Sequence, residues 1–458
     1  MLKPLTLIFL IFCTIGGMLL SSLFGLPLAL GFLLGLTVLV LLCRRMGAAW
    51  SDVWEGTRSG AYRTKEVLWI LALVGLLIPS WMASGTIPYL IDWGLSLVEP
   101  AYFLCSAFLL STLTSMALGT SIGTLSTIGL PLMGAATILD LPLAMVGGAL
   151  ISGAMVGDRS SPLSSAHQLL AATTETDIQK QSKAMLPTTL GGIVLSCLFF
   201  YAWDLQGQLQ VEGKEVLDYS FEQQFFFHPL LMLPPLILIG MILLRIKTKY
   251  AFVASILASL IIGNYWQGVG GAEWWRYLLH GFDGSSLSIL HSKGLLDMTG
   301  MIVFIACTGA FNGLLEKHRV IEPYIQQMMG NKTNLTKATC TTSLFGLVMN
   351  MLCCNQTLPI MISGRNLLPI WRVRYSGAQL SRVLSDTSLL FAALIPWNIL
   401  AMLAATIMGV PVTDYLPYAP FLWLMPILTI ALSYYYDLQW KRTQSKGGNA
   451  NEKTIARL

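Results

Sequence analysis

Residues 152–165 read SGAMVGDRSSPLSS and place a carboxylate and a guanidinium side by side, Asp158 and Arg159. Two glycines, one proline and five serines surround them, directly after the apolar run LPLAMVGGALI. A charge at membrane depth costs roughly 2.5–3.5 kcal/mol per residue on insertion scales, so it faces protein and performs a task. Gly, Ser and Pro at that depth free backbone groups from the helix ladder. Such backbone is tolerated where it is buried in protein or lines a cavity. An ionisable group beside an unwound helix is one way to build a transported-ion site.

A second acidic residue matches this pattern. Asp158 and Asp386 are the acidic residues that fall outside predicted loops. Each is a candidate to bind a cation or carry a proton, since desolvation favours the neutral carboxyl form that proton exchange requires. The competing reading of Asp158 is structural: it neutralises Arg159 or caps a half-helix. Neutral oxygens come from two further polar interruptions, Thr120, Ser121 and Thr124 in LGTSIGTLSTIG, and Asn355, Gln356 and Thr357 in CCNQT. Ser161, Ser164 and Thr387 add hydroxyls in the broken segments, and Asn398 in IPWN adds an amide. An oxygen-rich set without thiolate or imidazole clusters suits a hard cation, and sodium is the expected one. Hydrogen bonding between helices is the alternative use of such Ser and Thr side chains. His167 reads as a surface or capping group.

These residues sit in a chain of 458 residues that is 55% hydrophobic and 11% charged, with net charge +5. That composition defines an all-α polytopic membrane protein, with the lipid bilayer as its partner and no case for nucleic acid. Runs such as LTLIFLIFCTIGGMLL and FGLPLALGFLLGLTVLVLLC approach the ~20 residues a crossing needs. Residues 5–43 read as a helical hairpin rather than a cleaved leader. The eight cysteines lie in apolar segments without metal-ligand spacing and read as small buried residues. A P-loop pattern and a nucleophile–base set are both missing from the sequence, so neither an ATP motor nor an enzyme is expected, and no cofactor.

Charge distribution orders the crossings. Treating 100–134 and 338–370 as re-entrant hairpins leaves ten full transmembrane helices with both termini cytoplasmic. Lys and Arg then divide 24 inside to 3 outside, with Arg159 in the membrane; the positive-inside rule favours that arrangement. The expected organisation is a hairpin and interfacial helix (1–66), a first repeat core (67–210, with a broken helix at 141–172), linking elements (211–300), a second repeat core (301–436, with a broken helix at 384–408) and a cytoplasmic tail (437–458). The parts recur in opposite orientation, which makes an inverted-topology repeat with its boundary in the acidic loop near 204–227.

The motifs LGTSIGTLSTIG (118–129), SGAMVGDRSSPLS (152–164), CNQ (354–356), LSRVLSDT (380–387), LIPWN (394–398) and GVPVTDYLPYAPF (409–421) resemble the NhaC-type sodium/proton antiporter family in order and spacing over roughly 65–435. The resemblance implies sodium exchanged against protons across a bacterial or archaeal cell membrane, or in some members against organic acids or amino acids. Two positions depart from the family pattern. Ser165 stands where SPLSD ends in a carboxylate, and Ser385 where LED has one.

The expectation is therefore a secondary transporter that exchanges sodium and protons by alternating access. Asp158 and Asp386 would bind the ions in turn, with oxygens of the hairpin tips completing the shell. A second copy of the chain is a candidate partner. The alternative is sodium-coupled carriage of a small organic carboxylate or amino acid, in which Arg159 pairs the solute's carboxylate.

Overall fold

A computed structural model describes residues 4–97, 100–211, 224–284, 292–321 and 334–445. The expected repeat boundary lies largely at 212–223, and most of the expected tail at 446–458; both lie outside the described residues. Among the described residues the protein is all-helical. Seven helices are long and apolar enough to cross a membrane, or eight if one bent pair is a single span.

The helices are α1 (Pro4–Leu23), α2 (Leu28–Arg45), α3 (Trp50–Arg63), α4 (Lys65–Ala83), α5 (Thr86–Leu97), α6 (Phe103–Leu118), α7 (Ser121–Ile138), α8 (Leu143–Ser160), α9 (Ser165–Thr173) and α10 (Ile178–Val211). They continue with α11 (Leu233–Leu243), α12 (Thr248–Trp266), α13 (Gly271–His280), α14 (Thr299–Lys317), α15 (Leu335–Cys353), α16 (Thr357–Trp371), α17 (Gly377–Asp386), α18 (Ser388–Leu394), α19 (Ile399–Met408) and α20 (Pro420–Ser445).

The polarity of the molecule is what a bilayer demands. Leu190, Val194 and Leu198 of α10 recur every four residues and are exposed, whereas Thr188 and Asp204 of the same helix are buried. An apolar stripe faces lipid and the polar groups turn inward. The cysteines divide between these two surfaces. Cys43, Cys353 and Cys354 are buried, but Cys340 is exposed, so the reading of all eight as buried residues is corrected. In a membrane helix an apolar position satisfies lipid as well as core.

Two helices end in the left-handed conformation and restart at once. Gly119 closes α6 at φ +67°, and Cys354 closes α15 at φ +55°. Each donates its N–H to the carbonyl four residues back, Ser115 and Asn350 respectively. At their far ends both helices are tethered by an aspartate on a long helix. Asp204 of α10 accepts from the Leu104 and Cys105 N–H groups at 3.0 and 2.9 Å. Asp437 of α20 accepts from those of Leu335 and Thr336 at 3.0 and 2.9 Å. A carboxylate on the exposed N–H groups of a helix start satisfies donors the helix cannot.

Helices α6 and α8 approach closely. A Cβ at Gly153 would lie 2.5 Å from the Phe108 carbonyl oxygen, and one at Gly157 would lie 2.1 Å from the Ser115 carbonyl carbon. Ser111 and Ser115 of α6 donate to the Leu150 and Ala154 carbonyls of α8. Small residues allow such a crossing, and the serine bonds fix its register. The far end of α8 carries Asp158 and Arg159.

Candidate ion-binding site

The chain between α8 and α9 is unwound over residues 161–164. Ser161 Oγ donates to the Met116 carbonyl at 2.8 Å, which ties the break to the last turn of α6. Gly119 seats against the same break: a Cβ there would lie 2.7 Å from the Ser164 nitrogen. Ser164 caps α9, accepting from the His167 N–H at 3.3 Å. Its hydroxyl also lies 2.6 Å from the Asp158 carbonyl oxygen and 3.1 Å from Asp158 Oδ1.

Asp158 is 7% exposed and collects three neutral donors. Ser121 Oγ, just past the Gly119 break, lies 3.3 Å from Oδ2. Gln356 Nε2, just past the Cys354 break, also lies 3.3 Å from Oδ2 and reaches the Leu389 carbonyl at 3.3 Å. Ser164 supplies the third. The residues following both left-handed breaks thus meet on one carboxylate. Among the described residues no cationic side chain pairs with it.

Arg159 has turned the other way. Its Nε donates to Asp386 Oδ1 at 2.8 Å, and a terminal nitrogen forms a salt bridge to the same oxygen. The remaining donors go to Ser160 at 2.8 Å, Thr189 at 2.6 Å and Thr188 at 2.9 Å. A guanidinium has five N–H groups, and all five are used. The structural reading in which Asp158 neutralises Arg159 is therefore corrected. Adjacent residues on a helix point about 100° apart, and the arginine reaches across to α17 instead.

Asp386 is the last residue of α17, and Thr387, at φ −126° and ψ −81°, breaks the chain before α18. A second break at 395–398 precedes α19, and the helical pair is bent by 55°. Arg382 stands one turn before Asp386, is 2% exposed, donates to Ser433 Oγ at 3.0 Å and lies over the Tyr436 ring. The 24 charges counted inside took Arg382 as a loop residue, and that is corrected: it is a buried residue of a helix. The signal for its burial is local: Ser376 and Gln379 form a capping box that starts the helix at 377. Arg382 and Asp386 then share one face at four-residue spacing.

The other singled-out residues serve backbone. Thr120 caps the first turn of α7 by accepting from the Gly123 N–H at 3.3 Å, and Thr124 donates to the Thr120 carbonyl at 2.8 Å. Asn355 Oδ1 accepts from the Leu358 N–H at 2.9 Å, and Asn398 Oδ1 from the Leu400 N–H at 3.2 Å. Thr387 donates to the Val383 carbonyl. These contacts hold the tips and breaks in shape. His167 is fully buried, its Nδ1 2.7 Å from the Arg159 carbonyl oxygen, so its surface reading is corrected. Sequence reasoning missed Thr188, Thr189, Asp204 and Asp437.

An apolar exterior around a buried carboxylate, held where broken helices meet, is the architecture of an ion-transporting membrane protein. The chain belongs to the Na+/H+ antiporter family, whose model matches residues 153–435. It is similar to the Na(+)/H(+) antiporter NhaC of Alkalihalophilus pseudofirmus, 30% identical over 85% of this chain and 86% of the relative. The Na(+)/H(+) antiporter NhaC of Bacillus subtilis is 26% identical over 85% of this chain and 88% of that relative. The arginine/ornithine antiporter ArcD of Halobacterium salinarum is 28% identical over 85% and 82%.

Proposed function

We propose that this protein is a secondary active transporter that exchanges sodium for protons across a bacterial cell membrane, with Asp158 as the group that takes either ion. The observation that carries this reading is the setting of that carboxylate: buried, free of a cationic partner among the described residues, and touched by both chain breaks. A carboxylate without a resident counter-cation is available to a transported one. Ser121, Ser164 and the Asp158 carbonyl supply neutral oxygens beside it, and the Gln356 amide can present its oxygen by rotation. Sodium is a hard cation that suits an all-oxygen shell. Sodium and proton compete for the same oxygens, and that competition couples their movements.

Similarity to the two NhaC antiporters supports the choice of ions. Carriage of an organic acid on Arg159 is the weaker reading, because every donor of that guanidinium is already engaged. The matched parts support alternating access. α6 and α15 each end in a left-handed residue and each begin under an aspartate. We read them as inverted repeats, with ten crossings, two re-entrant hairpins and both termini cytoplasmic. Rocking of one repeat against the other then exposes Asp158 to each side in turn.

The test is purified protein in proteoliposomes with an internal pH dye. Adding sodium outside an acid-loaded vesicle is expected to drive proton efflux in the wild type and none in Asp158→Asn. Unchanged efflux in that variant would remove Asp158 from the exchange.

A further inference from the structure

Among the described residues the buried acidic and cationic side chains near the site are four: Asp158, Arg159, Arg382 and Asp386. We infer that Arg159 and Asp386 form a fixed internal pair, that Asp158 is the single exchanging carboxylate, and that one sodium therefore moves against one proton without net charge. The inference rests on the antiport reading and deepens it.

The geometry separates the two carboxylates by what holds them. Asp386 accepts two bonds from Arg159 on one oxygen, with Thr188 Oγ1 at 3.3 Å and Arg382 one turn earlier on its helix. Neutralising Asp386 would leave two guanidiniums in a fully buried place, a costly arrangement. Its charge is committed to the protein. Asp158 meets hydroxyls and an amide, which tolerate either ionisation state by rotating.

The charge count follows. With Asp158 ionised, the four side chains sum to zero. Binding one sodium gives +1, and binding one proton also gives +1. The two loaded carriers are isoelectric, so the forward and return transitions move equal charge and a cycle moves none. Two exchanging carboxylates would instead admit two protons per sodium and make the cycle sensitive to voltage. Ser165 and Ser385, which add no carboxylate to either broken helix, agree with the smaller count.

The experiment uses the full-length protein in proteoliposomes whose potential is clamped with potassium and valinomycin. A tenfold sodium gradient is expected to be balanced, at zero flux, by one full pH unit, with the same balance at 0 and at about −100 mV. Balance at half a pH unit, or a balance point that moves with voltage, overturns the inference while leaving antiport standing. No sodium-driven proton movement at all overturns the antiport reading and the inference with it. The double variant Arg159→Gln/Asp386→Asn supplies a second arm, since it removes both members of the pair and leaves Arg382, held by Ser433 and the Tyr436 ring, as the one guanidinium of the cluster. Exchange at the same one-unit balance, at a reduced rate, is expected. A monodisperse double variant with no exchange returns Asp386 to the exchanging groups and overturns the proposal.

Discussion

Arg159 follows Asp158 directly in the chain and pairs with Asp386, 227 residues further on, through two bonds to one carboxylate oxygen. That choice decides the chemistry of both aspartates. On the reading proposed above, the partner of Arg159 is a structural charge, and its neighbour is left for a transported ion. The pair also joins the break after α8 to the break after α17, so the two broken helices are locked at their discontinuities.

A buried pair of this kind is far costlier to break than to remove. Arg159→Gln strips Asp386 of its two guanidinium bonds, and Asp386→Asn leaves the buried Arg159 and Arg382 without their carboxylate, so a loss of about 3–5 kcal/mol is expected for each. The double variant removes both charges and should recover most of that loss. Thermal melting in detergent, run as a double-mutant cycle, checks it. Equal, additive losses would mean that the two residues do not act as a pair.

Where the chain would break was legible in the sequence. Gly119, Pro162 and the polar triad Asn355–Thr357 interrupt apolar runs, and helices end beside each of them. Pairing was not legible, because no local pattern says which distant carboxylate an arginine takes. Hydropathy also misplaced helix ends. The acidic loop is expected from about residue 204, yet α10 runs on to Val211, and the tail is expected from 437, yet α20 continues to Ser445. Turns beyond the apolar stretch are polar, so Asp204 and Asp437 read as loop residues when each is a helical residue capping a neighbour. Only the packed structure shows the N–H groups they face.

Those two caps yield a matched prediction. Asp204→Ala and Asp437→Ala each strip the start of one broken-hairpin helix of its acceptor, at a cost of about 0.5–2 kcal/mol. Asp437 also accepts from Thr336 Oγ1 at 2.6 Å, so its loss should be the larger. Melting temperatures of the two variants test the order. An Asp437→Ala protein as stable as wild type would show that the cap contributes nothing.

Gly119 is constrained twice, by φ +67° and by the Ser164 nitrogen 2.7 Å from where a Cβ would sit. Gly119→Ala must therefore either strain the backbone or push the 161–164 break away from the tip. Strain of about 1–3 kcal/mol is expected in stability. Displacing Ser164 also takes its hydroxyl off Asp158, so sodium-driven proton efflux should fall even at temperatures where the variant is fully folded. Comparing transport with melting separates these effects, and a variant that loses stability alone would place the tip outside the ion site.

Gln356 joins Asp158 Oδ2 to the Leu389 carbonyl of α18, and so holds the second tip against the first broken helix. Gln356→Leu keeps the volume and deletes both bonds. The Asp158 carboxylate stays in place on Ser121 and Ser164, so turnover at saturating sodium should persist. What is lost is one polar contact in the ion shell, a net contribution of about 1 kcal/mol, or roughly fivefold in apparent sodium affinity. Rates of proton efflux measured across a sodium titration would show KM rising with little change in the limiting rate. A fall in the limiting rate at constant KM would mean instead that Gln356 acts in the conformational step, holding the second tip in one of its two positions, and not in the ion shell.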